Sequence, residues 1–165
     1  MKKFELTENY KTRFGRKLFQ IRALVTINGV VRAGETGGYI EKEENLSQFG
    51  KSWVSGNAQV FGNARVVGNS RVTENARVSG NAFVAGNSRV TENARVSGNA
   101  FVGGNSRVTE NAHVHGFAFV IGNSCVNGNA RVYGNALVYE NALITGDSIV
   151  SGDAMVSGDK FVSDN

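Results

Sequence analysis

The sequence predicts an all-β fold. It reads as a single-stranded parallel β-helix of about six 18-residue coils, with a small N-terminal β-hairpin cap. Three observations predict it. From Val54 to Phe161 the chain runs as eighteen consecutive hexads without an insertion or deletion. The hexads group in threes, so that 78–95, "VSGNAFVAGNSRVTENAR", recurs at 96–113 as "VSGNAFVGGNSRVTENAH". Within each hexad a small residue precedes a Val by two positions, which places both on the same side of an extended strand.

Each hexad position has one job. The first is Val seventeen times and Ile144 once, and stacked columns of these side chains fill the interior. The fifth is Ala or Ser except at Lys160, small enough for narrow corners. The third is Gly except at Glu74, Glu92, Glu110 and Glu140. The fourth is Asn except at Phe117, Asp147, Asp153 and Asp159. A Gly-Asn pair makes a corner, because both residues reach positive φ cheaply. Three strands and three corners close a coil, and coils stacked at ~4.8 Å give a prism roughly 29 Å long. Aligned Asn side chains can then form amide ladders between coils.

This pattern resembles the hexapeptide-repeat proteins, whose fold is a left-handed parallel β-helix. The hand is an implication of the resemblance, since the period carries no hand. The leader "AGETGGYIEKEENLSQFGKSWV" resembles that of YdcK-type hexapeptide proteins through Ala33-Gly34, Gly37-Gly38 with Tyr39, Asn45-Leu46-Ser47-Gln48, Gly50 and Trp53. That family implies a β-helix and no assigned chemistry. Short proteins with a strict "GNA" repeat also resemble ones carried by phages and mobile elements.

Residues 1–53 read as the cap and 54–165 as the β-helix. "FQIRALVTI" alternates, with Phe19, Ile21, Ala23, Val25 and Ile27 on one side. Asn28-Gly29 follows and is a strong hairpin-turn signal. "EKEEN" predicts a short helical turn, and Trp53 is placed to plug the first coil.

Composition bounds the function. With 21 Gly, no Pro and 41% apolar residues, the chain is neither collagen-like nor Pro-rich and disordered. No apolar run approaches 18 residues, and the N-terminus has no secretory h-region. A single cysteine, Cys125, fits a reducing compartment, so a cytoplasmic location is expected. The net charge of +4 is uneven: residues 1–53 carry +4, 54–113 carry +3 and 114–165 carry −3.

Outward positions define three faces. The first carries Gln59, Arg77, Arg95, His113, Arg131 and Ile149 beside Phe61, Ser79, Ser97, His115, Tyr133 and Ser151. The second carries Arg65, Phe83, Phe101, Phe119, Leu137 and Met155, with Ile121 and Tyr139 in the neighbouring column. The third carries Arg71, Arg89, Arg107, Cys125, Leu143 and Phe161 beside a Thr-rich column.

An apolar column on a nominal exterior predicts an interface. Its residues would be Phe83, Phe101, Phe117, Phe119, Ile121, Leu137, Tyr139 and Met155. A homo-oligomer is expected, dimer or trimer, unless residues 1–50 fold back over the face. Trimers are what the hexapeptide resemblance implies. A protein partner is a further expectation.

The arginine ladders, Arg71, Arg89 and Arg107 with Arg77 and Arg95, suggest an anion or nucleic-acid site. The corner Glu74, Glu92 and Glu110 between them predict instead a self-neutralised Arg–Glu lattice. Without interleaved aromatics, nucleic acid is not the favoured partner.

His113 and His115 stand side by side on one outward strand. Two His are too few for a closed metal site. Hexapeptide acyltransferases use a His as general base, so an acyltransferase is the enzymatic alternative. No extruded loop is present to hold its substrates, so no catalytic residue, cofactor or metal is assigned. Phe117 replaces a corner Asn, and a strained positive φ is expected there. The main expectation is a non-catalytic scaffold or binding module.

Overall fold

The computed structural model describes residues 1–164. It is an all-β parallel solenoid of about seven turns, built from two-residue rungs between tight corners. The first-position Val and Ile and fifth-position Ala of the hexads are almost completely buried from Val54 to Ile144. Ser70, Ser88 and Ser106 are equally buried because each hydroxyl donates to the carbonyl three residues earlier, at 2.6 to 2.7 Å. Successive coils hydrogen-bond through the backbone at rungs and corners, as from Arg77 N to Ala94 O and from Asn81 N to Gly98 O.

There is one more turn than the hexads predict. β3 (Thr36–Ile40) pairs Tyr39 with Gln59, Leu46 bridges Val66, and Trp53 pairs with Arg71. Residues 36–54 thus form a first turn whose inward residues are Ile40, Leu46 and Val54, in register with Val60, Val66 and Val72 and with two extra residues between Leu46 and Val54. Its corner is a one-turn 3-10 helix, Glu43–Asn45, at the predicted helical turn. Asn45 is buried there, accepting from Glu41 and Lys42 N–H groups and donating to the Gly62 and Ala64 carbonyls. Trp53 is 2% exposed and meets Phe4 edge-on at 6.4 Å.

The cap is a hairpin, but its turn is not at Asn28-Gly29. β1 (Phe4–Arg13) and β2 (Arg16–Ala23) are antiparallel, joined through Phe14 (φ 47°) and Gly15 (φ 73°). Two successive positive φ values give the twist a two-residue hairpin needs. Asn28-Gly29 only tightens a small loop closed by the Ile27–Val31 bridge. The alternation of 19–27 holds from Ile21 to Ile27 and fails only at its start. A bulge between Gln20 and Arg22 shifts its parity, so Leu18 is buried and Phe19 packs beside Tyr10.

The hairpin extends the first sheet, whose order is β1, β2, β3 and then the rungs starting at Gln59, Arg77, Arg95, His113, Arg131 and Ile149. It is not laid over the second face. Lys3 closes the N-terminal end, its buried ammonium donating to Ser52 O (2.8 Å) and Oγ (3.1 Å). Burial pulls its pKa down to about 8.

At the corners the positive φ belongs to the third hexad position alone. Gly86, for example, has φ 68°, and a Cβ there would sit 2.6 Å from Gly104 O. Phe117 follows Gly116 (φ 71°) and is not itself among the positive-φ residues, so the expected strain is absent. The strained residues are Glu74, Glu92, Glu110 and Glu140, with φ from 59° to 62°. Each costs roughly 1–2 kcal/mol relative to a residue in an allowed region.

Candidate functional site

The second face is the more regular of the two candidate surfaces. Parallel pairing puts Phe83, Phe101, Phe119, Leu137 and Met155 in one register column. The Phe83, Phe101 and Phe119 rings stack at 5.6 Å between centroids. Phe101 is half-buried because its ring lies across Gly103, where no side chain competes for the space. Phe119 is 45% and Met155 61% exposed, with Leu137 half-buried between them, and Phe117 at the adjoining corner is 58% exposed. Ile121 and Tyr139 are half-exposed beside them. The face carries one charge, Arg65, at its N-terminal end.

The first face has the opposite chemistry. Arg77, Arg95, His113 and Arg131 form one register column. His115 lies 4.6 Å from His113 and stacks on Tyr133 at 4.9 Å with the planes 8° apart. His113 Nε2 is 3.3 Å from Ser97 Oγ. Burial, then His115, Arg95 and Arg131, pull the His113 pKa down to about 4. Burial and Arg131 lower that of His115 as well. Both imidazoles are therefore neutral at pH 7. Among the described hydrogen bonds, no carboxylate orients either ring. A general base works best with a pKa near the operating pH, and His113 lies well below it.

The predicted Arg–Glu lattice is not formed. The ion pairs among the described residues are Lys2–Glu43, Arg16–Glu41 and Arg22–Glu5, all within the first 43 residues. Glu74, Glu92 and Glu110 sit at the corner but pair with no Arg. Glu110 instead accepts from Gly128 N–H at 2.8 Å. On the third face, Arg71 donates to Gly29 O at 3.2 Å, while Arg89 and Arg107 project into solvent. Arg77 is half-buried, and its pKa is lowered by that burial and by the charges of Arg13 and Arg95.

Aromatics do interleave with the first-face arginines. Phe14, at the tip of the hairpin, packs on Phe61 at 6.4 Å, with the Arg13 guanidinium over its ring at 5.1 Å. The sequence alone does not show Phe14 here, because the hairpin that delivers it was expected elsewhere. Cys125 on the third face is half-buried rather than exposed, and burial raises its pKa. Among the described residues, no group of three or more His, Cys, Asp or Glu side chains could hold a metal ion. No helix is long and apolar enough to cross a membrane.

Residues 58–74, 76–92, 118–140 and 130–146 match the family model described as YdcK Beta solenoid repeat. These segments are similar to β-solenoid repeats of the YdcK type. No curated protein matches it.

Proposed function

We propose that this solenoid, whose repeats are similar to the YdcK type, is a non-catalytic binding module that pairs with a second copy of itself through its second face. The observation that carries the reading is the stacked Phe83–Phe101–Phe119 column, continued by Leu137 and Met155 and left open by the N-terminal hairpin. Contiguous apolar strips of this kind mark interaction sites on soluble chains. A second copy is the occupant that fits. The face is flat, almost uncharged and repeats itself every rung, so it offers a charged partner nothing to recognise. It is self-complementary under a two-fold axis, where rings of one copy settle between rings of the other. Two such strips, each about 25 Å long, bury on the order of 1,000 Å², near the lower bound of a stable interface.

Sedimentation velocity on the full chain tests the reading. The wild type is expected to run as a dimer at micromolar concentration. Phe101→Arg places five hydrogen-bond donors in the middle of the strip and is expected to run as a folded monomer. A wild type that stays monomeric at 100-fold higher concentration contradicts the proposal.

A further inference from the structure

We propose that the first face binds single-stranded nucleic acid, with phosphates on the Arg13, Arg77, Arg95 and Arg131 guanidiniums and bases on the Phe14–Phe61 and His115–Tyr133 aromatic pairs. Three independent observations lead there. The arginines carry no carboxylate partner, and three of them crowd together, with Arg13 and Arg95 both acting on Arg77. Uncompensated like charges at short range call for an anion. The aromatic pairs stand at the two ends of the same strip. Between Phe61 and His115 lie Ser79 and Ser97, a low floor three rungs or about 14 Å long. That length holds about four nucleotides at the 3.4 Å rise of a stacked strand.

The third observation is Phe14 itself. It is 79% exposed and adopts φ 47°. A bulky residue in this region is an outlier, and Asn or Gly would make the same turn at less cost. Backbone strain of this kind persists at binding sites. Phe14 leans against Phe61 and borders a cavity of about 170 Å³ shared with Arg77, Ser79, Arg95 and His113. A strained, exposed ring beside unpaired guanidiniums is what a base-stacking platform requires. The edge of the strip bears Glu74, Glu92 and Glu110, which repel a strand that strays toward the third face. This confines the backbone path to the Arg77–Arg131 column.

The test is fluorescence anisotropy of the full chain with a labelled 15-nucleotide oligo-dT, an equal-length duplex and heparin. Oligo-dT is expected to bind more tightly than duplex. Four phosphate contacts predict a loss of roughly 50-fold in affinity between 50 and 200 mM salt. Arg77→Ser with Arg95→Ser is expected to weaken oligo-dT at least tenfold, while Arg89→Ser with Arg107→Ser on the third face leaves it unchanged. Phe14→Asn separates binding from folding. It relieves the turn, so the melting temperature holds or rises, yet oligo-dT affinity falls about tenfold and heparin affinity does not. Bound oligo-dT also raises the His113 pKa in an NMR titration. Absence of binding at 50 mM salt overturns the proposal. So does heparin binding as tightly as oligo-dT with no effect of Phe14→Asn, which is plain polyanion attraction. Tighter binding of duplex overturns it too.

Discussion

The first and second faces share one backbone. Their rungs have the same length, the same inward Val and the same corners, yet one displays Arg77, Arg95, His113 and Arg131 and the other Phe83, Phe101, Phe119 and Leu137. The difference shows that the repeat constrains only half of each rung. Inward residues must fill a prism of fixed width and are nearly all Val, Ala or Ser. Outward residues meet no such limit, so the chemistry of a face is free to vary while the fold stands. Aligned like residues are the consequence, because an outward position recurs in register every eighteen residues.

The largest effect expected from this division lies on a single rung. Val102 is fully buried and Phe101, its neighbour, faces out. Val102→Asp buries an unpaired carboxylate and is expected to abolish the cooperative thermal transition. The milder Val102→Ala removes two methyl groups and leaves a cavity, for a loss of about 2 kcal/mol. Phe101→Arg is expected to leave the circular dichroism spectrum and the melt of the monomer intact. If the two positions respond alike, the inside–outside division fails.

The C-terminal end sharpens the comparison in another direction. The three corner columns carry Asn amide ladders, Nδ2 donating to the Oδ1 eighteen residues on, as from Asn87 to Asn105 at 3.0 Å, and Phe117 interrupts the ladder that runs through Asn81 and Asn99. Each ladder ends on an aspartate, at Asn129–Asp147, Asn135–Asp153 and Asn141–Asp159. A carboxylate accepts and cannot pass a donor onward, so all three ladders stop at the last coil. Charged terminal repeats of this kind block end-to-end growth. Replacing Asp147, Asp153 and Asp159 together with Asn restores the donors. The expected outcome is concentration-dependent growth beyond the dimer by light scattering, while the wild type stays bounded.

A smaller effect concerns pH. His113 has its pKa held at about 4 by burial and by His115, Arg95 and Arg131, against 6.5 for an ordinary histidine. The unfolded chain therefore takes up a proton below pH 6.5 that the folded chain refuses until about pH 4. Stability contributed by the neutral ring is complete above pH 6.5 and is lost as pH falls through that window. Half exposure of the ring screens the effect. Urea midpoints at pH 7 and pH 4.5 are expected to differ less in His113→Gln than in the wild type. The same slope in both would remove His113 from the account. Smallest is Glu92→Gly, which relieves the φ of 61°. A gain of about 1 kcal/mol, or about 2–4 °C in melting temperature, is expected.

How much of this was legible follows from the same division. The buried columns were readable because each inward residue repeats at a fixed period. The extra first turn was not, since eight residues rather than six separate the inward Leu46 and Val54, and Asn45 rather than a Gly-Asn pair makes the corner. The location of the strained φ was ambiguous because Gly and Asn both tolerate it, and the repeat places them side by side. That Glu at four corners takes the Gly position was a usable signal, since a Glu there must adopt what the Gly adopts. The Arg–Glu lattice was expected from spacing alone, but three residues around a corner carry the side chains apart. The apolar second face was readable residue by residue. The mixed first face was only half readable, because Phe14 reaches it from a hairpin whose turn, Phe14-Gly15, has a weaker signal than Asn28-Gly29.

The central claim is that the second face joins two copies of the chain. Native mass spectrometry on freshly purified protein, beside Phe101→Arg, tests it most directly. The account predicts twice the chain mass for the wild type and a single chain mass for the variant. A wild type at single chain mass, or a variant that keeps the double mass, would contradict it.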